Sequence, residues 1–185
     1  MVKTIIDSAF IKARSLPGAM EHNCTFLFGD LNFRVNLSNS TAREAINEKK
    51  FQHLLQYEEL LQLRHARDQY SSGVTFHMTE EVKEALSQDL LISSFKEGEI
   101  KFPPTYKFDV GTHTYDTSRK QRIPSWTDRI LYKDDSNRVK LLEYTSVPGV
   151  SMSDHKPVSA IFEVITKRFV SNQTNSALQS EYFQR

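Results

Sequence analysis

Cysteine is almost absent: Cys24 stands alone in 185 residues. That excludes an internal disulfide and any metal centre built from several thiolates, and a reducing, intracellular compartment is the simpler expectation. Long hydrophobic runs are missing as well. No stretch approaches the length of a membrane helix, and Met1-Val2-Lys3-Thr4-Ile5-Ile6-Asp7 has no apolar core of secretory-signal length. Neither charge sign is in excess: 24 Lys and Arg against 23 Asp and Glu leave +1. Anion binding must therefore be local rather than a property of the whole surface. No Gly-rich phosphate loop occurs, which disfavours nucleoside triphosphate chemistry. There is no Gly-x-Ser-x-Gly elbow and Cys24 lies in an apolar run, so a covalent acyl or phosphocysteine route is disfavoured too. The final Tyr182-Phe183-Gln184-Arg185 carries no prenylation cysteine.

What is present fits a soluble α/β domain, with 38% hydrophobic and 25% charged residues. Val2, Ile5, Ile6, Ala9, Phe10 and Ala13 recur at helical spacing before Pro17-Gly18. Thr25 to Phe28 reads as a short buried strand stopped by Gly29. Thr41-Ala42-Arg43-Glu44 has the spacing of a capping box and opens a helix. A second helical stretch runs through Leu54, Leu55, Glu58, Leu61 and Leu63, and a third spans Thr79 to Leu91. Phe95 to Phe108 is expected to be extended and broken at Pro103-Pro104. Ile130 to Tyr132, Val139 to Tyr144 and Val158 to Ile165 read as strands. The Ser-, Asn- and Gln-rich tail after Arg168 is expected to be disordered.

Three polar loops adjoin these strands. In Gly29-Asp30-Leu31-Asn32-Phe33-Arg34, extended spacing would point Asp30 and Asn32 the same way. Asp30 could take a proton from water while Asn32 donates to reacting oxygens. The plainer alternative is an Asx turn. In the second loop, Lys120, Arg122 and Arg129 could bind phosphate oxygens, or form a solvated basic loop beside a core Trp126. In Ser153-Asp154-His155-Lys156-Pro157-Val158, an Asp–His pair suits metal-assisted hydrolysis or charge stabilisation; a lone His is more often structural. Together the loops supply acid/base, cationic and imidazole groups. That set suits phosphoryl transfer to water.

Gly29 to Arg34 and Arg122-Ile123-Pro124-Ser125-Trp126-Thr127-Asp128-Arg129-Ile130-Leu131 resemble the two signature motifs of the inositol polyphosphate 5-phosphatases. Phe95 to Lys107, with Glu97-Gly98-Glu99-Ile100 and Pro104-Thr105-Tyr106-Lys107, resembles a third block, and Ser153 to Val158 a fourth, in the family's order. Lys107 to Arg122 most resembles the type IV, lipid-preferring branch. The resemblance implies a DNase I-like (endonuclease/exonuclease/phosphatase) α/β sandwich and Mg²⁺-dependent removal of the 5-phosphate from phosphoinositides, phosphatidylinositol 4,5-bisphosphate or 3,4,5-trisphosphate. It casts Asp30 as the group that activates water, Asn32 as its partner, and Asp128 as the carboxylate orienting His155. Asp154 is cast as the acidic member of the metal and phosphate network. Tyr106, Lys107, Lys120 and Arg122 resemble the family's clamp on the neighbouring 4-phosphate, and Arg129, from its place in the basic loop, is expected to be a further substrate-binding cation.

The chain departs from the family in having Leu27 where Trp is usual and a longer stretch around Ser72 to Ser94. The family's blocks upstream of Gly29-Asp30, including the Glu that is the main metal ligand, are not found. Residues 1–168 are accordingly expected to be the C-terminal half of the catalytic domain, with 169–185 a tail. An apolar sheet face should then be exposed. The expected partners are phosphoinositide head groups, with the protein cytoplasmic and peripheral at membranes. The alternative is a catalytically inactive fragment that still binds head groups. A nuclease of the same fold is disfavoured by the near-zero net charge, because DNA backbone binding needs many cations.

Overall fold

The computed structural model describes residues 18–71 and 94–166, with Ile6, Ala9 and Ile92. Ile6 is helical and Ala9 lies in a turn; the other residues of the expected first helix, the helix over Thr79 to Leu91 and the tail lie outside the described residues. Strand β1 (Cys24–Asp30) pairs antiparallel with β3 (Asp128–Asp134), and β3 also pairs with the short β2 (Lys96–Glu97). A hairpin of β4 (Val139–Ser146) and β5 (Val158–Val164) forms a second, two-stranded sheet. Helices α1 (Asn39–Asn47), α2 (Phe51–Leu55) and α3 (Glu59–Ser71) fill the connection between β1 and β2. No helix of the described residues is long and apolar enough to cross a membrane.

Period-2 alternation decides what each face of the first sheet carries. The register sets Phe28 opposite Ile130 and Asp30 opposite Asp128 on one face. Leu27 opposite Leu131 and Gly29 opposite Arg129 share the other. The Leu131 face is buried in a cluster with Leu60, Ile92 and Phe95. The Phe26 face meets the second sheet through Phe162, whose ring stands edge-on to Phe26 (4.9 Å) and Tyr132 (5.2 Å). A separate cluster joins α1 and α2 to Ile100, Phe102 and Trp126. Trp126 is fully buried, its indole N–H donating to the Phe102 carbonyl at 3.0 Å.

Three local expectations are revised. β1 does not stop at Gly29; it runs through it, because Gly29 keeps its ladder partner Arg129 and adopts φ +138°, which glycine alone tolerates without strain. Helix α1 begins earlier than Thr41. Ser38 caps it, its Oγ accepting the Thr41 N–H at 3.1 Å. The helical stretch through Leu54 to Leu63 is two helices. Residues between them pair instead with the loop after β1, Asn36 N–H donating to Tyr57 O (2.8 Å) and Glu59 N–H to Arg34 O (3.0 Å).

Candidate active site

The end of β1 and the start of β3 lie side by side, with Asp30 and Asp128 in register on one face. Beyond Asp30 the chain turns back rather than continuing extended. Asn32 takes φ +62°, its N–H donates to Asp30 Oδ1 at 3.0 Å, and Leu31 N–H donates to Thr127 O at 2.7 Å. The Asx turn that sequence offered as the plainer alternative is thus the observed geometry. It still keeps Asp30 and Asn32 together at an exposed strand end. Arg34 closes the turn: its guanidinium hydrogen-bonds Asn32 Oδ1 and lies 4.6 Å from the centre of the Tyr106 ring.

Tyr106 sits between two other segments. It exchanges backbone hydrogen bonds with Ser125 (3.2 and 2.8 Å), while Thr105 O accepts from Lys156 N–H and Asp154 O accepts from Phe108 N–H on its other side. This pairing sets the Tyr106 and His155 rings 4.6 Å apart. His155 Nδ1 lies 2.7 Å from Asp128 Oδ2, and the Thr127 hydroxyl donates to that oxygen at 3.0 Å. A carboxylate at Nδ1 favours the tautomer protonated there and leaves Nε2 for other work. The Lys107 ammonium stands 3.8 Å from Asp154 Oδ2, both partly exposed.

Lys120 and Arg122 line a groove of ≈ 610 Å³ together with Arg34, Asn36 and Ser125. Their loop is held by Asp116, whose carboxylate accepts the N–H groups of Ser118 (3.0 Å) and Arg122 (2.8 Å). Hydrogen bonding by Ser118, then the Arg122 N–H, pulls the Asp116 carboxyl down to about 2. From α1, Arg43 donates to the Asp116 and Tyr115 carbonyls, and Asn39 to those of Gln121 and Arg122. Sequence reasoning missed Arg34, Asn39, Arg43 and Asp116. Arg34 belongs to the first signature motif and Asp116 acts on N–H groups two and six residues on, whereas Asn39 and Arg43 act through contacts far apart in sequence.

Arg129 is a correction. It is only 3% exposed, forked onto Glu97 (2.6 and 2.7 Å) and bonded to Glu58 at 2.6 Å. Because Asp128 occupies the site face, strand alternation sends its neighbour into the core. Arg129 is a structural ion pair, not a phosphate ligand. Among the described residues no group of three or more His, Cys, Asp or Glu side chains could hold a metal ion, in keeping with a main Glu ligand not found in this chain. Asp154, which the resemblance casts in the metal and phosphate network, stands beside Lys107 and is partly exposed.

A family model described as Endonuclease/Exonuclease/phosphatase family 2 matches residues 1–161. The polyphosphatidylinositol phosphatase INP53 of Saccharomyces cerevisiae is 36% identical over 94% of this chain and 13% of its own length. Synaptojanin of Caenorhabditis elegans is 37% identical over 78% of the chain and 11% of its own length. For the phosphatidylinositol polyphosphate 5-phosphatase type IV of Mus musculus the values are 37%, 75% and 19%. Among solved structures, the inositol polyphosphate 5-phosphatase domain of SPsynaptojanin, in complex with inositol (1,4)-bisphosphate and calcium ion, is 34% identical with a TM-score of 0.58. The match covers 82% of this chain and 39% of that one. A Cimex nitrophorin in a ferrous NO complex is similar at 29% identity and TM-score 0.58, over 78% of this chain and 42% of that one. The chain thus spans a small part of its curated relatives and under half of these solved domains. It belongs to endonuclease/exonuclease/phosphatase family 2, with the DNase I-like fold of that family, and the curated relatives it matches there are inositol polyphosphate 5-phosphatases.

Proposed function

We propose that the chain carries part of the catalytic site of a phosphomonoesterase that removes the 5-phosphate from phosphoinositide head groups at a membrane surface. The observation that carries this reading is the His155–Asp128 pair at 2.7 Å, with Asp30 in register beside Asp128. A nitrophorin of similar fold shows that fold alone does not assign activity, so the argument rests on these side chains. Asp30 accepts the proton of the attacking water, and Asn32 orients that water. His155, held in one tautomer by Asp128, stabilises charge at the scissile phosphate. Tyr106, Lys107, Lys120 and Arg122 hold the neighbouring 4-phosphate, so that a substrate lacking it leaves cations unpaired. A bound divalent ion, Mg²⁺ by resemblance, would polarise phosphate oxygens. The described residues do not by themselves form its site.

The gathering of Arg34, Lys120 and Arg122 along one groove also supports a second reading, an inactive head-group-binding segment. One experiment separates the two. Phosphate release from a short-chain 4,5-bisphosphate inositol lipid is measured with Mg²⁺ and with EDTA, alongside head-group binding with duplex DNA as competitor. The chain is assayed alone and supplied with the remaining part of the SPsynaptojanin domain. Mg²⁺-dependent release that Asp30→Ala abolishes supports the enzyme reading. Binding without release in either form supports the second. Competition by DNA but not by inositol phosphates would sink both.

A further inference from the structure

Behind the candidate active site lies a second cavity, of ≈ 300 Å³, at the small end of the range for ligand sites. Its walls include Ile46, Phe51, Pro103 and Pro148, and it is also lined by Thr105 and Lys156. Neither Asp30, His155, Lys120 nor Arg122 lines it. Thr105 and Lys156 are chain neighbours of Tyr106 and His155, on the segments that Lys156 N–H and Thr105 O join at 2.8 Å. Alternation along extended backbone puts each pair of neighbours on opposite faces. Phosphate-site side chains therefore face one way, and the cavity takes the other.

Two polar groups there are left with unused hydrogen-bonding capacity. Lys156 is 3% exposed, yet its ammonium makes one hydrogen bond, to Thr112 O at 2.9 Å, and lies 4.8 Å from the centre of the Phe108 ring. No carboxylate of the described residues pairs with it. An ammonium has three donors, so donor capacity is left over. Arg129, equally buried, is surrounded by carboxylates, which is how an interior normally compensates a cation. Thr105 is 1% exposed and its hydroxyl has no partner. A buried cation with spare donors and a buried hydroxyl without a partner thus belong to one mostly apolar lining.

We infer that this cavity binds a small amphipathic monocarboxylate, with its acid group on Lys156 and Thr105 and its carbon chain against the prolines and Phe51. Lys156 is the one buried cation of the lining, Lys49 and His113 being exposed at its edge, so the interior matches one negative charge, whereas a phosphorylated polyol would strand hydroxyls against apolar walls. The site stands whether or not the phosphatase reading does.

Hexanoate is the probe, titrated into this chain while the backbone amide signals of Thr105, Thr112 and Lys156 are followed by NMR. Hexanol and hexanamide, which keep the carbon chain and remove the charge, are the controls. Hexanoate should shift these amides saturably and bind at least about tenfold more tightly than either control. Lys156→Met should abolish the preference. Should that variant fail to fold, Thr105→Val, which preserves shape, should weaken hexanoate severalfold and leave hexanol unchanged. Equal affinity for hexanoate and hexanol, as for a merely greasy or water-filled cavity, would overturn the inference. So would the absence of shifts at millimolar hexanoate.

Discussion

At Arg129 one guanidinium meets Glu97 and Glu58, with Arg64 and the Tyr144 hydroxyl also on Glu97. Burial pushes the Glu58 carboxyl upward, only partly offset by Arg129. Removing the central cation strands Glu58 and leaves Glu97 with Arg64, so Arg129→Met should lower stability by about 3–5 kcal/mol in urea unfolding. Glu58→Gln should be milder, since a neutral side chain at 58 escapes the desolvation and can still accept the Leu61 N–H that caps α3. Equal losses for the two variants would contradict this hierarchy. The other cations behave oppositely. Lys107 is partly exposed and weakly paired, so in the active domain Lys107→Ala should spare stability. It should reduce turnover of 4,5-bisphosphate head groups by a factor equivalent to about 1.5–3 kcal/mol; unchanged kinetics would remove it from the clamp. His155→Ala should lower kcat while binding survives, and a loss confined to KM would contradict its role. Sequence made the two classes of cation look alike. Only the pairing of β1 with β3 shows that Asp128 and Arg129 part company, although alternation along one strand already implied it.

The loop of Lys120 and Arg122 is an element with no regular secondary structure, held by α1 and by Asp116. Ser38 caps α1, and the first turns then reach across through Asn39 and Arg43 to four carbonyls of the loop. Sequence located the helix and misplaced its cap by three residues, because Ser38 and Thr41 are both plausible caps and only the fold chooses. The divided helix at α2 and α3 has the same cause: pairing with the loop after β1 overrides helical periodicity. Asp116 gives this element a pH signature. Its folded value of about 2 lies below the ordinary 3.8. Its contribution is therefore complete above 3.8 and lost as pH falls through about 2. Asp116→Asn should cost about 1.5–3 kcal/mol at neutral pH, as expected for hydrogen bonds to a charged acceptor. It should also flatten the acid limb of a urea-midpoint profile between 3.8 and about 2. An acid limb as steep as that of the parent would show that other carboxylates set it. Head-group affinity should fall with the variant, since Lys120 and Arg122 lose their frame.

For the whole molecule, burial is uneven between the two faces of the first sheet. The Leu131 face is closed by α3 and Phe95, whereas on the opposite face Phe28 is 71% exposed and Phe26 is shielded chiefly by Phe162. The apolar run Thr25 to Phe28 reads as a buried strand, which the bare Phe28 corrects, and the family resemblance implies an open apolar face. Neither indicated which phenylalanine would remain bare, because that depends on where the β4–β5 hairpin lands. An unpaired aromatic on a sheet face is a site for self-association. This polypeptide should accordingly form concentration-dependent dimers in sedimentation velocity. Phe28→Ser should shift it to monomer while moving the urea midpoint little, within the small range of exposed substitutions, about 0.5 kcal/mol. The control is Met152→Ser, which removes a still more exposed apolar side chain, on the loop that leads to His155, and should leave the dimer intact. If Met152→Ser dissociates the dimer and Phe28→Ser does not, association runs through the loops beside His155 rather than through the bare sheet face. Head-group binding should then fall as protein concentration rises, since dimerisation would cover the candidate site.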